Sequence, residues 1–416
     1  MRDPNLRRVV AARLISRIGG EAAFFVGIWG MAAFELHATP AELALLMGSL
    51  GVAALAGSAV AGLLVDRFNP RRVLLAGEVL FVPAALAVVL ADSMGELTVM
   101  AALLGLLSTP VYTAISSFAP YLTDDEGRLA AVNGALEAAG MAAFVIGPAA
   151  GALLVRFASL DWVFVLDAAT SLVAAWLVRG VRLRSGTGLS DRLREGALRE
   201  IREGFRFTYR HRRLRYYVLM GTSAWLLFGV FSALEPIFFR DVLGTGPEAM
   251  GWVNSVFGLG LVAGAAALPR LPRSLTSARG VATVIALNGV GAVAYAGTDR
   301  LGVVVGGAVF WGVVIGLMAP MVRTLIHLNS PEALVGRITG TTQVHSEAAH
   351  LLPLTFVPVL AGWWGVQWVM VGAGVGLLLL GTAAWREAAH LDSTRTVPVP
   401  EPGPLVVADE PFSPNP

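Results

Sequence analysis

The chain has no cysteine and no lysine, and charged residues of either sign make up only 14% of its 416 positions. The first absence excludes a disulfide framework, thiolate metal sites and a cysteine nucleophile. The second means that all 31 basic residues are arginine. With the excess of alanine, glycine and valine it reads as coding bias, so arginine in place of lysine carries no chemical message. The shortage of charge is the informative absence. Soluble domains hold about 25% charged and about 45–50% apolar residues, whereas 56% are apolar here and the mean hydropathy is +0.68. Such a deficit over this length calls for a solvent other than water, and the bilayer is that solvent. No phosphate-binding loop is present, so ATP is not the direct energy source.

A hydrocarbon core about 30 Å thick asks for helices of about 20 apolar residues. Twelve stretches qualify, at residues 9–34, 41–65, 72–91, 97–119, 130–155, 161–179, 216–238, 248–269, 280–297, 301–322, 336–361 and 366–385. Arg13, Arg17 and Glu21 interrupt the first, which is expected to stay as a span and not to leave as a signal peptide. An even number of spans puts both termini on one side. Arg2, Arg7, Arg8, Arg67, Arg71, Arg72, Arg128, Arg270, Arg273, Arg279, Arg337 and Arg386 fall on that side, with a dense run between Arg179 and Arg215. Only Arg156, Arg240 and Arg300 fall opposite. The positive-inside rule then makes both termini cytoplasmic and the protein multi-pass in the cytoplasmic membrane.

One long polar interruption, residues 181–214, separates six spans from six. Within it Leu193, Ala197, Ile201 and Phe205 recur at four-residue spacing among arginines, which reads as an amphipathic helix on the inner leaflet. A membrane anchor and a plain linker both fit. The halves repeat: Pro110 precedes Gly127-Arg128 as Pro320 precedes Gly336-Arg337, and GLLVDRFNPRR (62–72) aligns with GAAALPRLPRS (264–274). The expected architecture is an all-α membrane protein of twelve transmembrane helices in two pseudo-symmetric six-helix bundles, 1–180 and 215–388, with the linker between and a Pro-rich disordered cytoplasmic tail at 389–416. Parallel repeats of this kind hold a binding site between the halves at mid-membrane.

The loop GLLVDRFNPRR resembles the cytoplasmic signature of the major facilitator superfamily, on Gly62, Asp66, Arg67, Arg71 and Arg72, with Asn69 where the family usually has glycine. IGPAAGALL (146–154) is similar to the Gly-Pro-x-x-Gly element of the family's antiporters, on Gly147, Pro148 and Gly151. ARLISRIGGEAAFF (12–25), REGFRFTYRHRRLR (202–215) and EPIFFRDVLGTG (235–246) look like the branch of enterobactin-type and macrolide-type exporters. Glycine at 62 would let spans two and eleven approach closely. Asp66, placed at the N-terminus of span eleven, would gain about 0.3–1 kcal/mol from the helix dipole, and only with the cytoplasmic side closed. Gly147-Pro148 predicts a bend or close packing of span five.

Charged side chains at mid-membrane are costly, so each is a candidate. Glu21, Glu137 and Glu347 lie near the midplane by position, and Glu347 shares a helical face with Gln343 and His350, while His345 points elsewhere. A carboxyl held away from water loads and releases a proton near neutral pH, as a proton-driven antiporter needs. Glu21 ranks first, then Glu347 with His350, then Glu137. Arg13 and Arg17 share a face with Glu21 and either pair with it or snorkel. Glu78 and Asp167 lie on spans three and six, which the resemblance puts at the periphery, where local pairing is expected. Span four has no arginine, unlike many family antiporters, so proton coupling is implied by the resemblance alone. The same resemblance puts Phe24, Tyr112, Trp225, Phe228, Trp252 and Trp311 on cavity-lining spans, as stacking surface for a lipophilic ligand or as core and lipid contacts.

Rival classes have less support. In His345-Ser-Glu347-Ala-Ala-His350 the histidines are five apart, not the four a zinc-hydrolase helix needs, so no metal, no cofactor and no enzyme is expected. The implied function is export of a lipophilic drug or natural product in exchange for protons by a monomer whose partners are substrate, protons and membrane lipid, not nucleic acid. Uptake, or transport of a lysolipid or siderophore by the same fold, is the alternative.

Overall fold

The computed structural model describes residues 3–122, 125–181, 197–272 and 275–394. Among them thirteen long helices follow in order: α1 Pro4–Ala22, α2 Pro40–Phe68, α3 Pro70–Val88, α4 Met94–Ser116, α5 Glu126–Phe157, α6 Asp161–Arg179, α7 Ala197–Arg210, α8 Arg212–Ile237, α9 Pro247–Ala267, α10 Ala278–Ala296, α11 Leu301–Leu328, α12 Val335–Trp364 and α13 Val366–Ser393. Spans one to six are α1–α6 and spans seven to twelve are α8–α13. The starts are written in the sequence. Asp3, Ser93, Asp125 and Ser277 cap their helices with side-chain oxygens, and Thr39 and Glu42 form a reciprocal capping box ahead of α2. Asn69 takes φ 69° between α2 and α3 and accepts from the Arg71 N–H at 3.0 Å, so asparagine fills the place of a turn glycine.

Nine of the described helices are long and apolar enough to cross a membrane on composition alone. The spans that fall short are α1, α3 and α12, which carry Arg13, Arg17 and Glu21, then Glu78, then His345, Glu347 and His350.

The two bundles share one packing plan. α1 packs on α5 and α6, α2 on α4, and α3 on α4 and α6; α8 on α12 and α13, α9 on α11, and α10 on α11 and α13 repeat the scheme. The repeat reaches single hydrogen bonds. α1 continues through π-helical turns Ala23–Ile28 and Met31–Glu35, and α8 through Phe238–Val242. After them the Leu36 and Ala38 N–H groups donate to Met31 and Ala32 carbonyls at 2.9 and 2.8 Å, and those of Leu243 and Thr245 to Phe238 and Phe239, both at 3.0 Å. His37 (φ 50°) and Gly244 (φ 61°) turn the two corners, ahead of Pro40 and Pro247.

The start of α1 and the end of α13 lie on one face, the near face. There Arg8 donates to the Gly180 carbonyl at 2.6 Å, and Asp392 accepts from the Ala278 and Arg279 N–H groups at 2.9 and 3.1 Å, each tie within one bundle. The bundles meet through α5 on α9 and α2 on α12. Every described hydrogen bond between them lies toward the far face. Arg240 donates to the carbonyls of Ala33 and Ala38 at 2.7 and 3.2 Å, Ser255 to that of Val145 at 2.8 Å, and Arg156 pairs with Glu248 at 3.3 Å. At Gly62, where the sequence brings spans two and eleven together, an added Cβ would meet nothing within 4 Å. Those helices touch instead at Gly51, where it would lie 2.7 Å from Leu351. Among the described residues the bundles are therefore tied toward the far face, while α2 and α12 stand apart at Gly62.

The linker helix α7 docks on α12. Glu203 pairs with Arg337, the Phe205 ring stacks 5.0 Å from that of His345, and Tyr209 Oη lies 2.7 Å from His345 Nε2. Of the predicted amphipathic stripe, Leu193 and the side chains of Ala197 and Ile201 lie outside the described residues. α13 runs to Ser393, past the 388 boundary, and residues 395–416 lie outside the described part.

Candidate functional site

Two cavities sit side by side. The larger, about 390 Å³, lies inside the first bundle and is lined by Arg13, Arg17, Glu21, Glu78, Tyr112 and Asp167 among apolar side chains. The smaller, about 90 Å³, lies between the bundles, walled by Trp29, Phe228, Phe231, Phe257, Tyr295 and Trp311, with Glu235, Asn254, Ser232 and His350 as its polar groups. Phe24, Phe25 and Phe144 line both. Their rings interlock edge to face, with centroids 4.9 Å apart for Phe24 and Phe25 and 5.2 Å for Phe25 and Phe144.

In the charged cavity Arg17 Nε pairs with Glu21 Oε1 at 2.6 Å, one helical turn apart, so Arg17 reaches its acid and does not snorkel away. Arg13 lies over the Tyr112 ring, 4.5 Å from its centroid. Glu78 is 2% exposed and hydrogen-bonded to Ser16 and Ser171. Asp167 is 1% exposed, and its Oδ2 has no hydrogen-bond partner. α6 comes this close to α1 because Gly19 has no side chain: a Cβ there would lie 2.9 Å from Asp167 Oδ1. Glu78 and Asp167, read from the sequence as peripheral, thus line the same cavity as Glu21.

In the aromatic cavity Glu235 is buried, and its Oε1 accepts from Tyr295 Oη at 2.6 Å and from Asn254 Nδ2 at 3.1 Å. The sequence ends span seven at residue 238; the π turn carries the helix on to Val242 and places Glu235 deeper than that reading allows. Pro236 inside an apolar run was the available signal. Arg240, counted from sequence only as a loop charge, is the group that ties the far ends together.

The other predicted residues fall in several places. His350 lines the aromatic cavity, 3.4 Å from Ser232 Oγ, and Trp225 stands beside it with ring centroids 6.3 Å apart. Gln343 donates to Glu347 at 2.7 Å, but both stand outside the two cavities, as does Trp252. Glu137 is exposed and lies within electrostatic reach of Arg13. Gly147 and Gly151 are contact points for α1: an added Cβ would lie 2.6 Å from Glu21 Cβ in one case and 2.9 Å from Val26 in the other. The Pro148 carbonyl faces Gly251 of α9, so this element sits where α1, α5 and α9 meet. In the near-face loop Arg71 donates to the Arg179 carbonyl, Arg67 and Arg72 are exposed, and the side chain of Asp66 lies outside the described residues.

Two like-folded six-helix bundles with a cavity between them are an architecture found among membrane transporters. The family model described as Major Facilitator Superfamily matches residues 9–352, and the chain belongs to that family. It is a multi-pass membrane transporter. Among similar chains is the uncharacterised MFS-type transporter YfiS of Bacillus subtilis, 25% identical over 90% of this chain and 91% of that protein. The multidrug efflux pump Tap of Mycobacterium tuberculosis is 28% identical over 82% and 85%. Macrolide efflux protein A of Streptococcus pyogenes is 24% identical over 54% and 56%. Among solved structures, the nucleoside transporter NupG shares the fold with a TM-score of 0.73 at 10% identity, covering 93% of this chain and 99% of that one. A bacterial homolog of the human lysosomal transporter Spinster, in an inward-facing and unoccupied conformation, does so with 0.72 at 15%, covering 96% and 100%.

Proposed function

We propose that this protein exports a lipophilic small molecule, a drug or natural product, across the cytoplasmic membrane by alternating access in exchange for protons, working as a monomer. The carrying observation is the aromatic cavity between the bundles, with a buried carboxylate and one imidazole as its ionisable groups apart from the Tyr295 phenol. Such walls suit a planar apolar ligand, neutral or cationic, and no arginine lines them for an anionic one. With the arginine-rich near face in the cytoplasm, the conformation described here is inward-facing. Efflux by the relatives Tap and macrolide efflux protein A supports the direction.

In this reading Phe24, Phe228 and Trp311 contact substrate, and Tyr112, Trp225, Trp252 and Gln343 lie along its route. Glu21 belongs to the proton path through the charged cavity, with Glu137, Glu347 and His350 as the acids and imidazole nearest the open side. Gly62, Asp66, Arg67, Arg71 and Arg72 form the near-face gate, engaged when that face closes. Gly147, Pro148 and Gly151 form the pivot on which α5 turns against α1 and α9.

The test is accumulation of fluorescent cationic, neutral and anionic lipophiles in cells with and without the protein, each repeated with a protonophore. Lower accumulation of cationic and neutral probes, reversed by the protonophore, is the expected result. Unchanged accumulation of every probe, or higher accumulation with the protein, overturns export.

A further inference from the structure

The charged cavity holds an imbalance. Three carboxyl groups line it, Glu21, Glu78 and Asp167, against two guanidinium groups, Arg13 and Arg17. Arg17 is committed to Glu21 at 2.6 Å. Arg13 lies within electrostatic reach of Glu78, and its Nε is itself buried without a partner. That leaves Asp167 over. Asp167 is among the residues lining the cavity, and its Oδ2 is buried with no hydrogen-bond partner, although a carboxylate oxygen in such a place is ordinarily satisfied.

The remaining surroundings offer no further positive charge. On α3 the arginines Arg71 and Arg72 stand at the near end; α2 carries Glu42, Asp66 and Arg67 only near its ends; and α6 carries Asp161 and Arg179 at its two ends. Tyr112 of α4 faces Arg13, and Glu137 of α5 adds a negative group on that side. Serine hydroxyls of α1 and α6, Ser16 and Ser171, already serve Glu78.

We infer that Glu78 and Asp167, on facing helices of the first bundle, form a binding site for one proton, held on Asp167 while Glu78 stays ionised opposite Arg13. Neighbouring buried carboxyls do not both ionise without a compensating cation, and a pair of this kind takes up and gives off its proton as a unit. Loading transfers a proton from water in the cavity to the Asp167 carboxyl group, and discharge returns it to water, with no other bond made or broken. A metal cation is the poorer occupant, because Arg13 stands beside the pair. The inference deepens the proton-exchange reading above and rests on that reading for its role in transport, but the site itself is observable in a protein that transports nothing.

The experiment is infrared difference spectroscopy on the full chain, purified and reconstituted in phospholipid vesicles at neutral pH, in light and heavy water. A carbonyl stretch of a protonated carboxylic acid, shifted down in heavy water, is expected. It should be lost in the nearly isosteric Asp167→Asn. It should be lost equally in Glu78→Gln, which removes the excess negative charge while leaving Asp167 in place. Glu332→Gln, at an exposed position between α11 and α12 of the second bundle, should keep it. No such band in the unaltered protein, a band that both substitutions leave unchanged, or one abolished by sodium chloride each overturns the site. The unaltered protein is a test by itself, should a variant fold poorly. Efflux is scored separately, so an intact band without export overturns the exporter reading and leaves the proton site standing.

Discussion

Replacing Gly251 with valine should push the molecule off its far-face closure. Gly251 lies on α9 against the first bundle, where an added Cβ would come within 2.8 Å of the Pro148 carbonyl oxygen, 2.8 Å of Val26 Cγ2 and 3.0 Å of Ala152 Cβ. Only the Val26 methyl has rotamer freedom; the Pro148 carbonyl and Ala152 Cβ are fixed to the backbone of α5 and do not yield cheaply. Overpacking at a close contact costs about 1–3 kcal/mol, and here the cost falls only on the conformation in which α5 and α9 touch. The bundles escape it by separating, so the substitution acts on an equilibrium more than on folding. A bias of that size changes the ratio of far-closed to far-open molecules by about 5- to 150-fold. The chain has no native cysteine, so a spin-label pair at Asp92→Cys and Asp299→Cys, both exposed on the far face, reports without background. The inter-label distance distribution of Gly251→Val should move to longer values relative to the same pair on the parent. An unchanged distribution in a folded variant would refute the claim that this contact holds the far face shut.

The remaining expectations are local. Tyr295→Phe removes the 2.6 Å hydrogen bond to buried Glu235 and should cost about 1.5–3 kcal/mol, the range for bonds to charged groups; a thermal midpoint in detergent equal to the parent's would show that Asn254 alone satisfies that carboxyl. Gly244→Ala places a side chain at φ 61° and should destabilise by about 1 kcal/mol, whereas His37→Gly at the equivalent corner should be neutral or mildly stabilising. Equal and opposite thermal shifts from those the corners predict would contradict the backbone account. Asp66→Asn should abolish efflux with membrane insertion intact, and full efflux in that variant would remove the gating role given to the near-face loop.

Most of the fold was legible because lipid enforces it. Helices that must satisfy their own backbone in hydrocarbon leave few alternatives, so the length of the apolar stretches was enough to count the spans. The repeat was legible too, though its sharpest form, Leu36-His37-Ala38-Thr39-Pro40 against Leu243-Gly244-Thr245-Gly246-Pro247, is visible only once the paired backbone bonds are known. The site was less legible. Depth was judged by counting residues from the start of a span, and a π turn or a helix running past its apolar stretch shifts that count, which is why Glu235 went unlisted. Lateral position was harder still: nothing in the sequence says that Gly19 lets Asp167 of α6 reach the cavity of Glu21. Close contact between α2 and α12 at Gly62 was expected from a motif that acts when the near face is shut, and in the conformation described here that face is parted.

The three phenylalanines lining both cavities would give the cargo and the proton of the proposed exchange a common partition. Where cargo and proton compete for a single acid, only cargo able to displace a proton is pumped, and the pump is bound to the charge of what it carries. In the proposed exchange a shared wall would loosen that bond. A bulky guest pressing on Phe24 and Phe25 would bear on α1, which carries the Arg17–Glu21 pair one and two turns away. Among the neutral and cationic molecules that the aromatic walls suit, selection by girth is the behaviour such a partition would impose.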